Sequence, residues 1–395
     1  MQPAQRLHGL DFLRGSMMLL GIALHGGQMY MTMTVGFDYY RDPVSSPVMD
    51  GLLIFINTFR MPVFFFISGF FTAMLYESYG LGDMLRNRWR RIVLPFVLIL
   101  PPLSLLLGLQ WIVASQLMAT GSVGFDVSYV PYPRLLYDNT HHLWFLYYLM
   151  FHLAAMVLLI GVWRLCPRVL AGRLRALGLQ VSASGVPIIV LLGLVGGALA
   201  LPHYFGRVSG NIRFEPYLIA VSFFFLCFIA GWAFWYRRDE LATLERRCWT
   251  YLGIATAALG VALYAFFNQG DYGGPTYALL HPLLALSNGI SVAFYVVGFT
   301  GLFSRYCSDF SPFSRYLSDS AYWVYILHQS ALILFALPLF HWQLPAEVKF
   351  LIVCAGTAVL CLVTYDRFVR DTWLGALLNG RRYPRGLPGR EVPAG

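Results

Sequence analysis

The chain contains 395 residues, of which 58% are hydrophobic and only 12% are charged, and its formal net charge is +9. A soluble domain carries about 25% charged residues, so this composition excludes a water-soluble globular protein. The abundance of apolar side chains also excludes an intrinsically disordered chain. Because long apolar runs cross a bilayer as helices, the sequence predicts an all-α fold, a polytopic transmembrane helical bundle.

Ten stretches of the sequence are apolar enough to cross a bilayer, which takes about 20 residues in a helix. They form one predicted membrane domain, residues 1–375, followed by a cytoplasmic tail at residues 376–395. In chain order the predicted spans are Leu10–Val35, Val48–Tyr76, Ile92–Met118, His142–Trp163, Val186–Leu201, Pro216–Tyr236, Trp249–Phe267, Tyr277–Phe303, Ala321–Phe340 and Val348–Phe368.

Arginine is concentrated in alternate loops, within residues 86–91, 164–175, 237–247 and 305–315, and again in the C-terminal tail. The positive-inside rule therefore places these loops and both termini in the cytoplasm, as an even number of spans requires. Since topology accounts for the basic charge, no nucleic-acid partner is predicted. The six cysteines form no CxxC pair, and the sequence predicts no metal site.

The first predicted span carries Asp11, Arg14 and His25. Ionisable residues inside spans are costly and are usually functional. Arg14 and His25 are eleven residues apart, which places them on one helical face about 16 Å apart along the axis. Asp11 can pair with Arg14, and Gly21 lies between the two on the same face. The alternatives are an Arg14 side chain that reaches the interface and a His25 that bonds a neighbouring helix.

The second predicted span places Arg60 two residues before Pro62, and a Ser68-Gly69 pair follows. Proline frees a backbone carbonyl, which in a membrane needs a partner or a cavity. The sequence therefore predicts a helix broken near Pro62 with an anion site at Arg60. The alternative is a kink that serves packing alone.

Basic and aromatic residues elsewhere give further candidates. Arg90 and Arg91 end a run of four arginines that either marks topology or binds phosphates. His142 and Trp144 open the fourth span, and His328 lies near the middle of the ninth. Each of these histidines suits either packing or chemistry.

The pattern of these residues resembles the membrane-bound acyltransferase family 3. The segment Leu10–Gly15 followed by His25 is similar to the family's opening, with its R-x10-H spacing. Residues Arg60–Gly69 resemble its R-x-P-V-F-F-x-x-S-G block, and Arg90–Pro95 resembles the basic block that follows. The resemblance extends over nearly the whole chain. It is strongest to family members that succinylate osmoregulated periplasmic glucans, from which Gly15 is a departure.

This resemblance implies a multi-pass protein of the bacterial inner membrane, surrounded by membrane lipid. It implies O-acyl transfer from cytoplasmic acyl-CoA, expected to be succinyl-CoA, to hydroxyl groups of a periplasmic glucan acceptor. Acyl-CoA is then a co-substrate, and no permanently bound cofactor is expected.

The implied roles divide among the residues singled out above. His25 is the expected general base, and burial would help to keep it neutral. Arg14, oriented by Asp11, is expected to hold the donor. The remaining residues expected to bind substrate are Arg60, Ser68, Arg90, Arg91, His142, Trp144 and His328.

Two other functions stay open from the sequence. One is an O-acetyltransferase that acts on another envelope glycan. The other, from a different class, is a secondary transporter that moves an anionic solute through the same charged cavity.

Overall fold

A computed structural model describes residues 8–33, 39–167, 185–380 and 382–383 of the chain. Within these ranges the protein is all-helical and has no β-strand, which confirms the predicted fold class. The helices of the described part are α1 (His8–Gln28), α2 (Pro47–Arg88), α3 (Leu94–Thr120), α4 (Trp144–Leu165), α5 (Val186–Ala200), α6 (Leu218–Trp235), α7 (Leu241–Asn268), α8 (Pro275–Tyr306), α9 (Pro312–Ala336), α10 (Ala346–Thr364) and α11 (Trp373–Asn379).

Seven helical stretches of the described residues are long and apolar enough to cross a membrane. One of them, Pro47–Thr120, contains α2, α3 and the π-helical turn Trp89–Val93 between them, and so includes the second and third predicted spans. α5 is apolar but shorter, and α1 carries the three ionisable residues that the sequence singled out. The helices fit a multi-spanning membrane protein, whereas the count of ten spans and the cytoplasmic termini stay predictions.

The first span is shorter in the structure than the sequence predicts. α1 ends at Gln28, before the predicted limit at Val35, because the next residues turn and the Thr32 amide donates to Asp50 Oδ1 at 2.9 Å. Val35, the arginines within residues 168–175 and most of the predicted tail lie outside the described residues. The division at residue 375 stays a prediction.

Two helices, α1 and α8, are central to the bundle, and the other helices pack around them. α8 lies against α5, α7, α2 and α1, while α1 also packs on α2, α9 and α10. The approach of α5 to α8 is close because Gly193 and Gly197 face Gly289, and a Cβ atom on Gly197 would lie 2.7 Å from the carbonyl oxygen of Ala285. Small residues of this kind are what bring helices together in lipid.

The predicted break near Pro62 is wrong. α2 stays helical through Pro62, and its one interruption between Pro47 and Arg88 is a kink at Gly80, with φ 79° and ψ 176°. Proline removes one backbone hydrogen bond, but neighbouring helices can hold a spanning helix straight through it. Here Phe59, Val63 and Phe64, on either side of Pro62, are all buried in the bundle.

A fully buried ion pair ties the connection between α1 and α2 to α10. Lys349 Nζ lies 2.8 Å from Asp42 Oδ1, and neither side chain is exposed. Tyr40 donates to Asp42 Oδ2 at 2.9 Å, and the Val44 amide donates to Asp42 Oδ1 at 3.0 Å. The carboxylate is therefore satisfied on both oxygens.

We expect Lys349→Met to lower the free energy of unfolding by about 3–5 kcal/mol, because it leaves a buried carboxylate without its cation. Thermal unfolding of the purified protein in detergent measures the effect. Arg86→Gln, at an exposed pair with Asp83, is the control and should change stability by less than about 1 kcal/mol. Equal losses in the two variants would contradict this account of the pair.

Candidate active site

One face of α1 carries the ionisable residues that the sequence predicted to lie together. Asp11, Arg14 and Met18 line a cavity of about 610 Å³. One turn further along, Gly21 faces the side chains of His328 and Arg60. His25 follows on the same side. The helical arithmetic for α1 is therefore confirmed, and so is the ion pair of Asp11 with Arg14, whose closest atoms are 3.4 Å apart.

Three histidines and one arginine from four helical segments meet beside Gly21, and we call His25, Arg60, His142 and His328 the histidine cluster. The ring centroids of His25 and His328 are 5.2 Å apart, and those of His328 and His142 are 4.8 Å apart. A Cβ atom on Gly21 would lie 3.2 Å from His328 Nε2 and 3.6 Å from an Arg60 nitrogen. The absence of a side chain at Gly21 makes room for the cluster.

Each imidazole of the histidine cluster donates one hydrogen bond, and this fixes its tautomer. His25 Nδ1 donates to Gln28 Oε1 at 2.7 Å, while His142 Nε2 and His328 Nδ1 donate to backbone carbonyls at 3.1 and 2.7 Å. The other nitrogen of each ring then carries a lone pair. Among the described residues, His142 Nδ1 and His328 Nε2 have no hydrogen-bond partner although both are buried. Three imidazole nitrogens with a lone pair therefore lie within the histidine cluster.

Arg60 is a buried cation for which the described residues supply no carboxylate partner. The whole residue is only 6% exposed, and its Nη1 atom has no hydrogen-bond partner within the described ranges. No carboxylate of the described residues pairs with it, whereas Lys349 and Arg315 each have one. A buried charge without a partner is strongly unfavourable. The arrangement therefore favours an anionic ligand, or an oxygen that becomes negative during a reaction.

The cavity beside Arg14 contains a second group of cations, and we call it the arginine cavity. Arg14, Arg88 and Arg91 line it, and the Nε and one Nη of Arg88 are buried without a hydrogen-bond partner in the described part of the chain. Asp11 pairs with Arg14, and the other carboxylate that lines the cavity, Asp319, pairs with Arg315. Such a group of guanidinium ions suits a ligand with several negative charges, such as phosphates.

The structure divides the predicted site residues into four sets. His25, Arg60, His142 and His328 form the histidine cluster. Asp11, Arg14, Ser68 and Arg91 line the arginine cavity. Arg90 lines a neighbouring cavity of about 400 Å³, which Arg91 and Asn87 also line. Trp144 belongs to none of these groups: it packs against Phe65 and Phe224 and lines a separate cavity. The roles proposed for these residues stay predictions.

Two residues of the site were not singled out from the sequence. Arg88 belongs to the arginine run of residues 86–91, but nothing in that run shows which members turn inward. Gln28 follows His25 by three residues, and this i,i+3 spacing was the available signal for their hydrogen bond.

Replacing Arg60 tests whether its charge is uncompensated. We expect Arg60→Met to raise the free energy of unfolding by about 1–3 kcal/mol, because it removes a buried charged group that lacks a partner. Thermal unfolding in detergent, without added anions, measures the change against Lys349→Met. A loss of stability as large as that of Lys349→Met would mean that Arg60 has a structural partner.

The chain matches one family model and several curated proteins. The family model, described as an acyltransferase domain, matches residues 7–366. Over 146 residues the chain is 34% identical to Glucans biosynthesis protein C of Escherichia coli (strain K12) and 33% identical to the protein of that name from Shigella dysenteriae serotype 1 (strain Sd197). The match covers 36% of this chain and 36% of each relative. No solved structure matches the chain.

Proposed function

The chain belongs to the acyltransferase family whose model spans residues 7–366, and on that premise we propose that it transfers an acyl group from cytoplasmic acyl-CoA to hydroxyl groups of a periplasmic glucan. The acyl group proposed is succinyl, and the membrane is the bacterial inner membrane. The relatives are named for glucan biosynthesis, which supports a glucan as the acceptor.

The observation that carries this proposal is Arg60, which lies beside three imidazoles and has no carboxylate partner in the described part of the chain. Acyl transfer to an alcohol needs a base for the hydroxyl proton and a cation or dipole for the oxygen that becomes negative. The histidine cluster supplies both, because the rings of His25 and His328 and the Arg60 guanidinium lie together beside Gly21. Arg60 costs stability in the unliganded protein, and this cost is recovered only when a negative group lies beside it.

The arginine cavity suits the donor. Acyl-CoA carries its phosphates at one end and its thioester at the other, with a long flexible arm between them. Arg14, Arg88 and Arg91 would bind the phosphates, and Arg14 lies about 16 Å from His25 along α1. The arm would then extend past Met18 and Ser68, and the thioester would enter the histidine cluster.

The reaction follows from the tautomer of His25. Since Nδ1 donates to Gln28, the Nε2 lone pair takes the proton of the acceptor hydroxyl as its oxygen attacks the thioester carbon. A C–O bond forms, the C–S bond breaks, and the proton on His25 passes to the leaving thiolate. Arg60 stabilises the carbonyl oxygen while it is negative, and its other donors can hold the free carboxylate of a succinyl group.

We expect His25→Ala to lower kcat for acyl transfer by about 10²–10⁴-fold, the usual contribution of a general base. Binding of acyl-CoA, measured by calorimetry on the whole protein in lipid nanodiscs, should be unchanged. His203→Gln is the control, since His203 lies in the loop between α5 and α6 and bonds Tyr217, not a member of the cluster. Mass spectrometry of glucans after incubation with succinyl-CoA or acetyl-CoA reports the transfer.

The same measurement separates the alternatives. Full ester content with His25→Ala would contradict the role of His25 as base. Acetyl esters in place of succinyl esters would assign the protein to the acetyltransferases. Movement of an anionic solute into vesicles without any acylated product would identify a transporter.

Neutralising the arginine cavity tests the donor site. We expect Arg88→Gln and Arg91→Gln each to raise KM for acyl-CoA about tenfold, which corresponds to about 1.4 kcal/mol. The increase should shrink in high salt, because the wild-type attraction is then screened. Arg246→Gln, at the start of α7 and outside the cavity, should leave KM unchanged. Similar KM values in all variants would show that the phosphates bind elsewhere.

A further inference from the structure

We propose that a polar pocket at the Gln28 end of α1 binds the sugar acceptor through its hydroxyl groups. The pocket is formed by Gln28, Asn57, Thr58, Arg207 and Asn288, and we call it the amide pocket. This inference rests on the proposed acyl transfer and adds to it a binding site for the carbohydrate.

The amide pocket consists of two adjoining cavities of about 80 and 60 Å³. Asn57, Thr58, Arg207 and Asn288 line both of them, and Gln28 lines the larger. Because a water-sized group needs about 10–15 Å³ in such a measure, each cavity holds several hydroxyl groups. Four separate parts of the chain supply these residues: α1, α2, α8 and the loop between α5 and α6.

The polar groups of the amide pocket have hydrogen-bonding capacity to spare. Within the described residues, Asn57 and Arg207 make no hydrogen bond or ion pair. Asn288 Nδ2 donates to the Gly206 carbonyl at 2.9 Å, and its Oδ1 accepts nothing from the described part of the chain. Burial lowers the pKa of the Arg207 guanidinium. Polar groups in this state lower their free energy by binding a ligand that donates and accepts.

The chemistry of the pocket matches a sugar. Each sugar hydroxyl donates one hydrogen bond and accepts others, and side-chain amides do the same. Arg207 adds further donors. The walls beyond the polar residues are mostly apolar and include aromatic rings: Phe205 and Phe266 in the larger cavity, and Trp144 in the smaller. Apolar walls with a few convergent polar groups are typical of sites for small organic molecules.

The amide pocket is also placed correctly for the reaction. Gln28 both lines the pocket and accepts the hydrogen bond from His25 Nδ1. Asn57 and Arg60 are three residues apart on α2, which is less than one helical turn. The arginine cavity lies at the opposite end of α1, since Arg14 and Gln28 are separated by about 21 Å along the axis. Donor and acceptor would therefore reach the histidine cluster from opposite sides.

Binding of a fluorescent β-linked gluco-oligosaccharide to the whole protein in lipid nanodiscs tests the proposal. We expect Asn57→Ala and Arg207→Gln each to weaken binding about tenfold, and to raise KM for the oligosaccharide while KM for acyl-CoA stays unchanged. The matched controls are Asn268→Ala and Arg213→Gln. Asn268 lies at the exposed end of α7. Arg213 is in the same loop as Arg207, and its guanidinium pairs with Asp138. Both controls should bind as the wild type does.

Three results would overturn the proposal: a wild-type protein that does not bind the oligosaccharide, equal affinities in all variants, or equal weakening in the controls. Failure of the proposed acyl transfer gives a different result. The wild-type protein then binds the oligosaccharide and Arg207→Gln binds it more weakly, but no acyl group is transferred from any acyl-CoA.

Discussion

An ionised side chain inside a membrane bundle has to be compensated by charge, because lipid and packed helices solvate it poorly. Lys349 and Arg315 meet this constraint with carboxylates at 2.8 and 2.7 Å. Arg60 does not meet it with any described residue. The uncompensated charge lies where three imidazoles with free lone pairs converge. The rest of the site can be understood as the means by which a negative group reaches this point.

The first helix sets the distances in that site. Its N-terminal half borders the arginine cavity, Gly21 opens the middle to Arg60 and His328, and Gln28 at its last turn borders the amide pocket. Because α1 packs on four other helices, these three positions are fixed relative to the bundle. One helix therefore defines both the path of a donor and the side from which an acceptor would approach.

What could be predicted from the sequence was local, and what could not depended on tertiary packing. The position of His25 on the face of Arg14 followed from 3.6 residues per turn. No periodicity could bring His328 beside it, because the two lie on helices far apart in the chain. Trp144 was grouped with a histidine two residues earlier, but two residues rotate a side chain by about 200°. Arg88 precedes a π-helical turn, which changes the direction of the arginines that follow.

The buried pair of Lys349 with Asp42 has a consequence for handling the protein. Lys349 is the one lysine of the sequence, and its side chain is fully enclosed. A reagent that modifies lysine amines therefore has no lysine to reach on the folded surface. Once the contact between the α1–α2 connection and α10 opens, the amine becomes available. Lysine labelling then reports the opening of this one contact, without any engineered probe.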